Sequence, residues 1–161
     1  MEYNCEIMNI TSGKPKKFYT PREKRILLQT LGKMPDTTFY SSNHVMVNKE
    51  RVTHSLPILK RSRILDEVAR THALRMLDNR KTIPCLDEAC LSQLKLKTTS
   101  ENKSIVGLNV AYGRTIKDGQ KLFMSAEKYR KKILNREFNR MGFATARDLK
   151  GRLYMCQLFS F

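Results

Sequence analysis

The sequence predicts an α+β fold in which helices cover a small antiparallel sheet. Three observations predict it. Apolar residues recur at helical spacing in two long runs, Ile64 to Leu77 and Ile116 to Leu134. The first strand signal, IVGLNVAYG over 105–113, comes only after the first of those runs. The closing stretch MGFATARDLKGRLYMCQLFSF then reads as a β-hairpin about Asp148-Leu149-Lys150-Gly151, so the sheet is late and local.

The elements follow in order. Residues 1–19 are polar and irregular, with Gly13, Pro15 and a lysine cluster. Thr20-Pro21-Arg22-Glu23 opens a helix: Thr20 caps it, Pro21 suits the first helical position, and Glu23 closes a capping box. Ile26, Leu27, Leu28 and Leu31 form its apolar side, Gly32 ends it and Pro35 follows. Residues 1–40 therefore form a basic N-terminal arm with one short helix, and 41–161 form the main domain. There, a helix starts at Ser41 or Ser42 and runs through Val47, Asn48 and Arg51 to about Thr53. Pro57 forces Leu56 to extend. Ile64, Leu65, Val68, Ala69, His72, Ala73, Met76 and Leu77 mark the clearest amphipathic helix. A short helix is expected over 86–96, then the polar loop TTSENKS and the strand closed by Gly113. The run from Ile116 to Leu134 is one helix broken near Lys128. The last strand, Leu153 to Phe159, is apolar on both faces, which places it centrally in the sheet.

The chain of 161 residues carries 31 Lys+Arg against 15 Asp+Glu, a formal charge of +16. One domain with a short arm fits that length. The 40% apolar content suffices for a core, and no run approaches the roughly 20 apolar residues of a membrane span. The first twenty residues have an acid at position 2 and no apolar stretch, so no secretory leader is read in them. The positive field attracts polyanions, yet no base-reading motif accompanies it. Its densest piece is EKYRKKILNREFNR. At helical spacing Lys128, Lys132 and Arg136 share a face and Lys131 falls between faces; these four form the expected polyanion patch, with Arg130 partly committed to structure. Cys5, Cys85, Cys90 and Cys156 lack zinc-site spacing and read as buried thiols. In an oxidising compartment a bridge between Cys85 and Cys90, or from either to Cys156, stays open. Asn9-Ile10-Thr11 and Asn102-Lys103-Ser104 are glycosylation sequons in that setting. His72 reads as a packed histidine, and His44 and His54 lie outside any ligand spacing.

Five short motifs follow one another from about residue 41: VNKERVTHSLPIL, ILDEVARTHALRM, GLNVAYG, MSAEKYRKKIL and FNRMGFATARDLKGRLYMCQLF. In this order and spacing they resemble the CAP superfamily, the SCP-like domain of cysteine-rich secretory, antigen-five and pathogenesis-related proteins. The resemblance covers about 41–161 and implies a three-layer α-β-α sandwich. It also implies a cleft with two His and two Glu able to bind a divalent metal, and here the chain departs. Leu108 stands where the family has the Glu of G-E-N, Tyr129 stands where it has the His of H-R, and the other cleft His falls near Pro84. Neutral imidazole and carboxylate are what a zinc-type ion needs, so no metal, cofactor or catalytic residue is expected. Leu108, Asn109, Ser125 and Tyr129 are the expected cleft-lining residues, and Gly107, Gly113 and Gly142 suit tight backbone positions. The resemblance implies an extracellular, non-enzymatic binding or interaction module with a lipid, sterol or protein partner. The competing readings are a polyanion binder on this scaffold and a degenerate hydrolase using Glu127 and Glu137.

Overall fold

Thr20 opens the first helix through a reciprocal pair of bonds. The Glu23 N–H donates to Thr20 Oγ1 at 3.2 Å, and the Thr20 N–H donates to Glu23 Oε2 at 2.7 Å, as the capping box requires. The structure, a computed structural model, describes residues 19–33, 39–97 and 107–161. Cys5, both sequons and the TTSENKS stretch lie outside them. Helix α1 (Pro21–Lys33) passes through Gly32 instead of stopping there, and α2 (Phe39–Thr53) begins two residues before the expected Ser41. α1 packs on α2, with Leu31 buried and Lys24 donating to the Thr53 carbonyl.

The remaining elements are β1 (Lys60–Arg61), α3 (Arg63–Asn79), α4 (Glu88–Lys97), β2 (Gly107–Gly113), α5 (Ile116–Ser125), α6 (Glu127–Ile133), β3 (Arg140–Arg147) and β4 (Leu153–Ser160). The break between α5 and α6 falls at Ala126, two residues before the expected Lys128. The four strands lie in the order β1-β3-β4-β2. β4 is antiparallel to both neighbours and buried along its whole length, hence central as its apolar run predicts. The sheet is mixed, not purely antiparallel, because β1 pairs parallel to β3.

Strand alternation divides the core into two layers. Tyr154, Cys156 and Leu158 of β4 join Ala144 and Ala146 of β3 beneath α3 and α4. The small β3 residues let α3 come close. A Cβ on Gly142 would lie 2.2 Å from the Leu65 carbonyl carbon, so only glycine fits there. On the opposite face Leu153, Met155 and Phe159 meet Val47 of α2, Phe123 of α5 and Ile133. Helices thus cover both faces, making the α-β-α sandwich. No helix among the described residues is long and apolar enough to cross a membrane.

Candidate functional site

The polar face of α2 sets the frame. Asn48 behaves as a strand partner: its Nδ2 donates to the Leu59 carbonyl at 3.1 Å, and the Leu59 N–H donates to its Oδ1 at 2.8 Å. One turn on, Arg51 is fully buried. It donates to four carbonyls, those of Pro57 (2.8 Å), Ile133 (2.8 Å), Asn135 (2.7 Å) and Phe138 (3.3 Å). All four partners are carbonyls and none is a carboxylate; the dipoles at the end of α6 and in the loops before β1 and β3 solvate the charge. Burial lowers its pKa to about 10, so it stays protonated near neutrality.

Between α2, α5 and the sheet lie four amides. Asn109 and Gln157 face each other across β2 and β4. Gln157 Nε2 donates to Asn43 Oδ1 and to Gln120 Oε1, both at 2.9 Å. Asn43 Nδ2 donates to Gln120 Oε1, and Asn109 Nδ2 to Gln157 Oε1, each at 3.1 Å. Asn109 Nδ2 also reaches the Tyr129 carbonyl at 3.1 Å, tying the sheet to α6. All four residues are buried, and two atoms, Asn109 Oδ1 and Gln120 Nε2, have no hydrogen-bond partner among the described residues. The cluster has hydrogen-bonding capacity but no acid or base, because carboxamides do not titrate near neutrality.

The expected cleft residues separate. Asn109 and Tyr129 meet, whereas Leu108 points to the other side of the sheet and joins the core beneath α3. Adjacent strand residues face opposite layers, so Leu108 and Asn109 do not line one cavity. Ser125 lies at the exposed end of α5, where its hydroxyl donates to the Leu122 carbonyl. The Tyr129 ring packs edge-on against Phe123 at 5.5 Å, with Lys128 Nζ over it at 4.7 Å. The expected patch is partly committed. Lys131 pairs with Glu127 at 3.0 Å, and the half-buried Lys132 donates to the Leu108 carbonyl at 2.7 Å. Arg130 donates to the Met124 carbonyl, anchoring the helix end.

The histidines and thiols are structural. His72 is fully buried with Nε2 2.7 Å from the Ile83 carbonyl, and burial lowers its pKa. Cys90 and Cys156 are free, buried thiols, and Cys85 is disulfide-bonded. This corrects the bridges left open between Cys85, Cys90 and Cys156: neither buried thiol takes part in one. Burial pushes the Cys90 thiol up to about 12 and Cys156 well above its ordinary value, which disqualifies both as nucleophiles. Among the described residues no group of three or more His, Cys, Asp or Glu could hold a metal ion. Leu108 and Tyr129 do not fit the metal that the family resemblance implies.

Asn43, Gln120 and Gln157 escaped the sequence reading. One signal for Gln157 was available: an uncharged polar residue inside a strand apolar on both faces must find buried partners.

The model of the cysteine-rich secretory protein family, CAP, matches residues 45–159. No curated protein matches. Among solved structures, an outer surface protein from Borrelia burgdorferi is similar at TM-score 0.63 and 15% identity, over 73% of this chain and 87% of that one. An extracellular protein containing a SCP domain, from Bacillus anthracis, is similar at TM-score 0.62 and 19% identity, over 92% of this chain and 45% of that one. A cysteine-rich secretory protein from Staphylococcus aureus is similar at TM-score 0.59 and 21% identity, over 78% and 40%. The chain thus spans less than half of the last two. At these identities the likeness shows the fold alone.

Proposed function

The chain belongs to the cysteine-rich secretory protein family, CAP, and on that footing we propose that it is a binding or interaction module that catalyses no reaction itself. One observation carries the reading. Where α2, α5, β2 and β4 converge, the buried polar groups are four amides, Asn43, Asn109, Gln120 and Gln157, bonded mainly to one another. General acid–base catalysis needs groups that exchange protons near the working pH, and a zinc-type ion needs imidazole, thiolate or carboxylate. The cluster offers neither. The hydrolase alternative fares worse, because Glu127, its first candidate acid, is engaged by Lys131. The disulfide at Cys85 supports an oxidising, extracellular setting.

Calorimetry with zinc at neutral pH tests the reading, together with turnover of nitrophenyl esters and generic peptides. The expected result is neither stoichiometric binding nor turnover above buffer. A micromolar zinc site lost in Tyr129→Phe, or turnover lost in Gln157→Leu with the fold intact, overturns it.

The charge of +16 supports a second element, long-range attraction of polyanions. With Lys132 tied to the Leu108 carbonyl, Lys128 and Arg136 are the α6-region cations to test. Lys128→Glu/Arg136→Glu is expected to elute from heparin at lower salt than wild type. An unchanged elution position removes α6 from this reading.

A further inference from the structure

A concavity of about 950 Å³ opens between the end of α3 and the β3–β4 hairpin. That volume falls within the range of small-molecule sites. It shares no residue with the amide cluster and stands independently of the reading above. Leu77, Tyr112, Tyr154 and Leu149 supply its apolar surface, and Arg80, Lys81, Arg147 and Lys150 its cations.

Both walls are fixed by local geometry. α3 ends with Arg80 in the left-handed region, φ 54 and ψ 34. The Arg80 N–H bonds the Leu77 carbonyl at 3.1 Å, and the Lys81 N–H bonds the Met76 carbonyl at 3.2 Å. Glycine is the ordinary residue at such a helix end, and a side chain there costs about 1–2 kcal/mol. Opposite, Asp148 organises the hairpin turn. Its Oδ1 accepts the Lys150 and Arg152 N–H groups at 2.9 Å each, and its Oδ2 accepts the Tyr112 hydroxyl. These bonds, that of Tyr112 foremost, lower its pKa.

The balance of charge in the groove is therefore positive. Four cations, Arg80, Lys81, Arg147 and Lys150, stand against two carboxylates, Asp78 and Asp148, the latter ionised and within the field of Lys150; the side chains of Arg80, Lys81 and Lys150 have no hydrogen bond or ion pair among the described residues. Arg147 donates to the Gly151 carbonyl. The negative end of α3 accounts for cations at 80 and 81 but not for Lys150 on the facing turn. The left-handed backbone at Arg80 belongs to the helix cap, while the long cationic side chain it carries in place of glycine is set at the groove.

The apolar surface selects among anions. Tyr112 and Tyr154 pack together at a centroid distance of 4.6 Å, and Arg152 lies 5.8 Å from the Tyr112 ring. Tyr112 is 37% exposed, and an exposed tyrosine ring suits stacked or edge-on contact with another ring. Four apolar side chains make a surface for one flat body, not a tunnel for a long chain. We propose that this groove binds an aromatic organic anion, its carboxylate, sulfonate or phosphate held by Arg80, Lys81 and Lys150 and its ring laid against Tyr112, Tyr154 and Leu77.

The test is a fluorescence and calorimetric titration of the full chain with 8-anilinonaphthalene-1-sulfonate, beside the uncharged dye N-phenyl-1-naphthylamine. The sulfonate is expected to saturate one site and the neutral dye to bind at least about tenfold more weakly, since one charged hydrogen bond is worth about that factor. Arg80→Gly and Lys150→Gln should each raise the dissociation constant by about fivefold to tenfold. Lys121→Gln, an exposed cation on α5, should not change it. Arg80→Gly also relieves the left-handed strain, so it is expected to melt no lower than wild type while binding worse. Equal binding of both dyes, unchanged affinity in Arg80→Gly, or displacement of the dye by inorganic sulfate as readily as by benzoate overturns the proposal.

Discussion

Replacing Arg51 by Met leaves the apolar stem and removes the guanidinium. Four carbonyls then lose their donor. Those of Ile133 and Phe138 are bonded in fully buried contacts, whereas those of Pro57 and Asn135 lie nearer solvent. A buried carbonyl left unsatisfied costs about 1–3 kcal/mol, so the two deep ones alone put the loss at about 4 kcal/mol. Water recovers the other two at little net cost. A typical domain holds only about 5–15 kcal/mol, so the variant keeps a small margin. At this chain length about 1 kcal/mol moves the midpoint by roughly 2–4 °C, giving an expected drop of about 8–16 °C. Arg51→Lys keeps the charge but offers one ammonium to four carbonyls spread around a fork, so it should fall between. Thermal and urea melts followed by circular dichroism measure all three proteins. A Met variant within about 2 °C of wild type would show that the guanidinium holds nothing together.

Three further outcomes are expected. Burial holds His72 and His44 below their ordinary value of 6.5, so the unfolded chain takes up those protons first. Stability is whole above about pH 6.5 and falls as the pH drops below it, by up to about 1.4 kcal/mol per pH unit per histidine. Urea midpoints across that window should decline, less so in His72→Gln; a flat profile refutes this. Cys90 and Cys156 should resist alkylation in the native protein and react once urea unfolds it, with Cys85 reacting only after reduction. Modification of native Cys156 at the rate of an exposed thiol contradicts its place in β4. Gly142→Ala drives a Cβ to 2.2 Å from the Leu65 backbone, which cannot swing aside, so it should cost about 3 kcal/mol or more. Gly113→Ala meets only the flexible end of Met155 at 3.4 Å and should melt close to wild type.

The legible parts of the fold are those where local chemistry and tertiary role coincide. Thr20, Pro21 and Glu23 spell a helix start without help from the rest of the chain. The hairpin turn at 148–151 and the two-faced apolar run of β4 announced a central strand. β1 was illegible because its two residues, Lys60 and Arg61, are exposed and join the sheet through backbone bonds alone. The site was half legible. Asn109 stood out in its motif, but Asn43 and Gln120 belong to no motif and lie off the apolar positions that mark their helices. They turn inward because Gln157, on the strand between them, supplies the complementary amide. Arg51 was misleading in the same way: arginine is ordinarily solvated, and only distant carbonyls reveal why this one is not. The groove at the end of α3 draws on three separate stretches, around 77–82, at Tyr112 and over 147–154, so no local window contains it.

The position of β4 has a bearing on how the chain acquires its shape. It follows every other element in sequence, yet it lies between β3 and β2 and supplies both core layers. Until it is synthesised, β2 has no antiparallel partner, α3 covers only the alanine side of β3, and Gln157 is missing from among its amides. During translation, at about 5–20 residues per second, the growing chain can form helices but not the domain. Assembly is then a single late event closing contacts far apart in sequence, the kind that folds slowly. A nascent chain of this order stays open until the strand that completes the sheet emerges.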